Sequence, residues 1–267
     1  MIKTVVIGAA GRMGRRLVAN IAESSTLELV GAVEYDGCPS LGADAGILAG
    51  VGELGVTIGA DLAAAVRGAD AVINFATAGV LEATRTAVDA GCAVVIGTTA
   101  LPPEVKTELR AMADSGARIV SSYNMSVGVN LLFKLVREAA EVLGKAYDVE
   151  IVEMHHNQKK DAPSGTAVRL AEVVCEARGW DYDADVRHGR QGVVGARTGH
   201  EIGMHSLRGG DVVGDHTVIF AVNGERIELT HKASSRDTFA KGALRAVEFL
   251  QTAAPGLYDM QDVLGLK

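Results

Sequence analysis

Residues 155 to 167, His-His-Asn-Gln-Lys-Lys-Asp-Ala-Pro-Ser-Gly-Thr-Ala, place two histidines and two lysines directly before a predicted helix start. A helix N-terminus carrying a glycine, a threonine hydroxyl and a nearby lysine is a receptor for a carboxylate. A histidine held beside such an anion suits proton donation near neutral pH. His155 and His156 are adjacent at the end of a predicted strand, so their side chains point to opposite sides and do not chelate one metal together. No cysteine or carboxylate pattern nearby supports zinc. The plainer alternative is a solvated basic loop.

A second chemical segment lies at the other end of the chain. GAAGRMG (8–14) follows a predicted strand and opens a predicted helix, the context that a dinucleotide-binding loop requires. Its spacing is Gly-x-x-Gly-x-x-Gly rather than Gly-x-Gly-x-x-Gly. Small residues at Gly8, Ala9, Ala10 and Gly11 still let backbone N–H groups approach a pyrophosphate, and the helix N-terminus at Arg12 and Met13 offers partial positive charge. Gly14 lets the helix pack on the strand. Glu34 stands 20 residues beyond Gly14, at the end of the second predicted strand, where an acid accepts from the ribose hydroxyls of NAD. Arg12, Arg15 and Arg16 could instead supply a guanidinium for the extra phosphate of NADP, or be solvated surface charges. Gly97, Thr98 and Thr99 end a fourth predicted strand, and Ser122, Tyr123, Asn124 and Met125 end a fifth. Both sets fall where open parallel sheets bind ligands.

The elements that must position these residues follow an alternating rhythm. Strands at 3–8, 27–34, 71–76, 92–99 and 117–125 alternate with helices at 13–24, 61–69, 79–91 and 102–116. Such alternation predicts a parallel sheet, and continuous apolar runs such as VVIG predict strands buried on both faces. After about residue 126 the rhythm changes. A long helix (127–144), a strand (147–156), a helix (165–179), a glycine-rich stretch (189–214) and a hairpin around Asn223-Gly224 follow. The expected fold class is α/β, a Rossmann-like parallel dinucleotide-binding domain over 1–126 joined to an α+β domain with a mixed sheet over 127–235. The last segment, 236–267, with its amphipathic helix, is expected to return to the first domain.

HHNQKKDAPSGTA resembles the signature of the dihydrodipicolinate reductase (4-hydroxy-tetrahydrodipicolinate reductase) family, roughly E-x-H-H-x-x-K-x-D-x-P-S-G-T-A. The resemblance runs through the whole chain, taking in GAAGRMG, GTT (97–99), NMSVGVN (124–130) and LRGGDVVGDHTVIF (207–220). It implies reduction, by NADH or NADPH, of a cyclic unsaturated imine dicarboxylate to tetrahydrodipicolinate in the diaminopimelate route to lysine. By the same resemblance His155 is the proton donor, Lys159 the second donor, and His156, Gly165 and Thr166 bind substrate. Lys160 falls outside the family's functional positions and reads as a solvated charge. Arg190, Arg197, His205 and His216 read mainly as structural or interface residues, and a homotetramer is implied. Some members carry an arginine after the acid that ends the second strand. Here that position is Tyr35, which weakens the case for NADPH.

Bulk properties bound the alternatives. The formal net charge is -7, so the chain as a whole does not bind nucleic acid through counterion release. Three scattered cysteines form no CxxC pair and argue against a disulfide framework. No apolar run is long enough to cross a bilayer, and the first residues do not read as a signal peptide, so a cytoplasmic protein is expected. A dehydrogenase acting on another small substrate shares the first-domain pattern but gives no reason for the His-His-x-x-Lys arrangement. A redox-sensing regulator needs no proton donor.

Overall fold

The structure of the protein, a computed structural model, describes residues 1–99 and 101–267. Short runs of valine, isoleucine and alanine in the first half form β1 (Ile2–Ile7), β2 (Leu27–Val33), β3 (Ile58–Gly59), β4 (Ala71–Asn74), β5 (Ala93–Ile96) and β6 (Arg118–Ser121). All neighbouring pairs are parallel. The sheet order, from one edge, is Gly256–Tyr258, β6, β5, β4, β1, β2, β3. The chain therefore reverses its direction of travel across the sheet between β1 and β4, which makes their carboxyl ends the switch point.

Alternation along each strand divides the apolar side chains between two layers. Val6, Ile73, Val95 and Val120 face one core with the helices Arg12–Ala22 and Asp237–Thr252. Val5, Val72, Val94 and Ile119 face the other, where Ala87 and Leu109 come from the helices Val80–Asp89 and Pro103–Asp114. Each fully buried leucine or isoleucine contributes about 1.5–3 kcal/mol. This sheet belongs to a compact unit made of Met1–Val127 and Arg236–Lys267.

The second unit is Gly128–Ser235. Its strands are β7 (Asp148–His155), β8 (Val186–His188), β9 (Ile202–Arg208), β10 (Gly214–Val222) and β11 (Glu225–Ala233), in the order β11-β10-β7-β9-β8. β10 is antiparallel to both β7 and β11, whereas β9 is parallel to β7 and β8, so the sheet is mixed. Asn223 and Gly224 make a two-residue turn between Val222 and Glu225, with Gly224 at φ 99°. Val149, Ile151, Ile202, Met204, Val218 and Phe220 share one face and pack under the helices Val127–Leu143 and Gly165–Arg178.

The sequence pattern misses the shortest elements. The stretch after β2 holds a helix, Ala45–Ala49, started by Asp44, which accepts from the N–H groups of Gly46 and Ile47. The C-terminal strand β12 (Gly256–Tyr258) pairs with β6, followed by the helix Met260–Leu264. These pieces of three to five residues have no apolar run or periodicity to read. They are fixed by a partner strand or a cap.

Candidate active site

The loop after β1 is built by glycine geometry. Gly8 has φ 79°, and its N–H donates to the Val33 carbonyl at 2.8 Å, tying the loop to the end of β2. A Cβ on Gly14 would lie 1.9 Å from the Gly8 oxygen and 2.6 Å from the Ala9 Cα, so only glycine lets the first helix sit this close. That helix begins after Gly11 with no side-chain cap, leaving N–H groups of its first turn to an external acceptor. Glu34 follows β2, and its Oε1 accepts the Ala10 N–H at 2.8 Å. Gly8 to Met13 and Glu34 thus stand at the carboxyl ends of two adjacent strands. Arg12 and Arg15 are exposed, whereas Arg16 is paired with Asp237 at 2.5 and 2.7 Å.

Gly97, Thr98 and Thr99 follow β5. A Cβ on Gly97 would lie 2.1 Å from the Phe75 ring, and Thr98 Oγ1 donates to the Ala76 carbonyl at 2.6 Å, so this turn is stitched to the segment after β4. Ser122 to Met125 follow β6. Asn124 Oδ1 accepts the Ser126 N–H at 2.8 Å. The Met125 carbonyl lies where a Cβ on Gly242 would be 1.7 Å away, so the helix Asp237–Thr252 presses directly on this turn. Thr98, Thr99, Ser122 and Tyr123 line a cleft of about 370 Å³ with Lys106 and Arg110. These loops share the carboxyl edge of one sheet.

In the second unit, β7 ends at His155. Glu153, two residues earlier, lies on the same face. His155 Nδ1 is 2.6 Å from Glu153 Oε2. Arg208, opposite His155 on β9, reaches the same carboxylate with NH1 to Oε2 and NH2 to Oε1, both at 2.9 Å. The Ser164 N–H donates to Glu153 Oε1 at 3.2 Å. Glu153 is fully buried; burial works against its charge, but hydrogen bonds from His155, Arg208 and Ser206 outweigh that and hold the carboxyl at about 2.

Ser164 is the N-cap of the helix Gly165–Arg178, its Oγ accepting from the Ala167 N–H at 3.2 Å. The same Oγ lies 3.1 Å from His216 Nε2. The His216 ring packs edge-on to His155 with centroids 5.2 Å apart. Burial, and then the neighbouring His155, push His216 down to about 3, so it is neutral near pH 7. Lys159 Nζ pairs with Asp161 Oδ2 at 2.9 Å, and Arg208 NH2 donates to the Asp161 carbonyl at 2.7 Å. His156 is half-buried just past the strand, its N–H donating to the Val212 carbonyl at 2.7 Å. Gly165 is exposed with open space around it, while Thr166 is buried in the same turn. Lys160 is exposed.

The family described as "Dihydrodipicolinate reductase, N-terminus" matches residues 2–125, and "Dihydrodipicolinate reductase, C-terminus" matches residues 128–264. The chain belongs to the dihydrodipicolinate reductase family. Among its relatives named 4-hydroxy-tetrahydrodipicolinate reductase, that of Syntrophotalea carbinolica is 52% identical over 100% of both chains. That of Anaeromyxobacter dehalogenans is 53% identical over 100% of this chain and 99% of the relative. A solved structure titled as dipicolinate-bound dihydrodipicolinate reductase from Paenisporosarcina sp. TG-14 matches with TM-score 0.76 and 24% identity, covering 98% of each chain, which shows the fold. Membership makes this chain an oxidoreductase and implies NAD(P)H-dependent reduction in lysine biosynthesis.

His155 ends β7, Lys159 lies in the segment that follows it, and Gly165 and Thr166 form the start of the next helix. Four residues around them were missed in the sequence as site residues: Glu153, Ser164, Arg208 and His216. Glu153 had a legible signal, since two residues of separation on a strand put it on the face of His155. Arg208 and His216 stand in the motif LRGGDVVGDHTVIF, but only the pairing of β9 and β10 with β7 brings them beside Glu153 and His155. Arg190 and Arg197, read as structural, sit in an ion-pair lattice with Glu150, Glu201 and Asp148 at 2.7–3.1 Å.

Proposed function

We propose that the protein reduces 4-hydroxy-tetrahydrodipicolinate, by way of dihydrodipicolinate, to tetrahydrodipicolinate, with His155 as proton donor. The single observation that carries this reading is the His155 imidazole, fixed through Nδ1 to a buried carboxylate that also accepts from Ser164, the N-cap of the helix Gly165–Arg178. The first unit fits a dinucleotide: a helix start without a side-chain cap, a small-residue loop packed so closely on that helix that a Cβ at Gly14 would lie 1.9 Å from the Gly8 oxygen, and Glu34 at the neighbouring strand end. Gly8 to Met13 would hold the pyrophosphate, Glu34 a ribose, and Gly97 to Thr99 with Ser122 to Met125 the nicotinamide half. NADH or NADPH, when bound, supplies the hydride.

The remaining work falls to the second unit. Gly165 N–H and the Thr166 hydroxyl receive one carboxylate of the substrate, with His156 beside them. Lys159 exchanges Asp161 for the other carboxylate and for charge that develops on the ring. Reduction of the conjugated imine leaves an electron-rich ring carbon. His155 Nε2 delivers its proton there, forming the C–H bond, and the imidazole then regains a proton from solvent. The work is expected in the cytoplasm, by a homotetramer.

His155→Ala is expected to lower kcat by roughly 10²-fold or more with little change in the KM for the dicarboxylate, the usual scale of a general acid. Lys159→Ala is expected to worsen both constants. Steady-state kinetics on the two variants decides the assignment: near-normal turnover by His155→Ala removes His155 from the role of acid.

A further inference from the structure

We infer that Glu153 is a positioning residue, whose buried carboxylate sets His155, Lys159 and the carboxylate-receiving helix start in register with one another. The inference rests on the function proposed above. A buried carboxylate needs its several acceptor sites filled whatever its role, so what singles out Glu153 is where its donors come from. It accepts from Arg208 at 2.9 Å on each oxygen, from His155 Nδ1 at 2.6 Å and from the Ser164 N–H at 3.2 Å, with the Ser206 hydroxyl as a further donor.

Each contact reaches a different part of the site. The His155 contact fixes the imidazole plane at the end of β7. The Ser164 contact fixes the residue that caps the helix Gly165–Arg178. Arg208 extends the grip to the loop between them, since its NH2 also donates to the Asp161 carbonyl at 2.7 Å and Asp161 holds Lys159 at 2.9 Å. One carboxylate thus ties together the three segments that carry the proton donor, the lysine and the anion receptor.

The carboxylate also selects the working nitrogen of His155. An ionised carboxylate only accepts, so Nδ1 must carry its hydrogen and Nε2 is left to exchange a proton with substrate. Nε2 points toward Gly214, where a Cβ would be 3.0 Å away; glycine keeps that edge uncrowded. A glutamine at 153 has nearly the same shape but the wrong chemistry. Donors face both carboxylate oxygens, so whichever way the amide is turned, its NH₂ opposes a donor. Turned toward His155, it favours the tautomer with hydrogen on Nε2.

The test is Glu153→Gln in the wild-type and His155→Ala backgrounds, with kinetics and ¹⁵N-histidine NMR on the full chain. Glu153→Gln is expected to lower kcat by about 10²-fold, the scale of a misplaced general acid, and to leave the KM for NADH unchanged. The His155 resonances should move from the Nδ1–H to the Nε2–H pattern. In the His155→Ala background the same change should cost kcat less than about threefold, because coupled groups are not additive, while its effect on the KM for the dicarboxylate, exerted through Lys159 and the helix start, persists. Equal losses of kcat in both backgrounds would mean a structural role and overturn the inference, as would full turnover by Glu153→Gln. Should Glu153→Gln fail to fold, Glu153→Asp keeps the charge but retracts it by one methylene, and the same two-background comparison applies. Near-normal turnover by His155→Ala alone removes the acid role itself, and the NMR pattern then still decides whether Glu153 governs the imidazole.

Discussion

Arg16 shows how a side chain that reads as available can be committed elsewhere. Its guanidinium is held by both oxygens of Asp237, and Asn20 Nδ2 adds a contact at 3.0 Å to the same carboxylate. Asp237 lies 221 residues away in sequence, so nothing near Arg16 announces the pair. Of the three arginines near the glycine loop, Arg16 is thereby removed as a partner for an extra phosphate, and Tyr35, directly after Glu34, offers no charge. Arg12, exposed in the first turn of the helix, is the remaining cation closest to the loop. Arg12→Ala is expected to lower kcat/KM for NADPH by roughly tenfold, the scale of one charged hydrogen bond, and to change that for NADH much less. Parallel measurements with the two cofactors check this; equal losses would place Arg12 on the shared pyrophosphate instead. His155, Lys159, Gly165 and Thr166 were legible because they are contiguous and their order is itself the chemistry. The place of Arg208 and His216 was not, although both stand in a motif of the sequence, because sheet register recruits them from distant sequence.

Two helix starts, built alike in sequence, differ in what their glycines do. The first helix needs Gly14 for space: a Cβ there would meet backbone at 1.9 and 2.6 Å, which no rotamer change relieves. Gly14→Ala is therefore expected to destabilise the protein by about 1–3 kcal/mol or more and to weaken NADH binding together with the melting temperature. Gly165, at the start of the helix Gly165–Arg178, has nothing within 4 Å of a built Cβ and no positive φ. Gly165→Ala keeps the backbone N–H but sets a methyl in the open space beside it, and is expected to leave the melting temperature in place and raise the KM for the dicarboxylate by crowding the bound carboxylate. Calorimetry and kinetics on the pair separate packing from binding; a fall in stability on Gly165→Ala would make that glycine structural too. The alternation of strands and helices that carries both starts was readable from periodicity, down to the hairpin at Asn223-Gly224. β3 and β12 were not, since two or three residues hold no period and each exists only as an edge on a partner already formed.

At the scale of the whole chain, charge held against its ordinary protonation is concentrated in one unit. Burial opposes the Glu150 charge, but Arg190, His205 and Arg197 hold its carboxyl at about 2. A hydrogen bond from Arg190 and contacts from Thr198 do the same for Glu201, also at about 2, and Glu153 makes a third. His216, kept neutral by burial, is depressed to about 3. All four lie within Gly128–Ser235. In the other unit the depressed carboxyls are Asp44 and Asp262, which serve the starts of two five-residue helices. A group whose folded pKa lies below its unfolded value leaves the unfolded chain binding more protons as pH falls, so the stability it confers is lost toward acid. For His216 the loss begins near the ordinary histidine value of about 6.5. For the three glutamates it begins near about 4.3, and it is complete for all four once pH has fallen through the folded values. Acid should therefore loosen Gly128–Ser235 before the sheet of the dinucleotide unit. The chain carries one tryptophan, Trp180, in the second unit, with the Arg178 guanidinium 5.0 Å from its ring centroid and His200 packed edge-on at 4.5 Å. Its fluorescence consequently reports that unit alone, while far-ultraviolet circular dichroism follows both. Lowering the pH below about 4 is expected to change tryptophan emission before most of the helical signal is lost; coincident transitions would mean that the two units unfold as one.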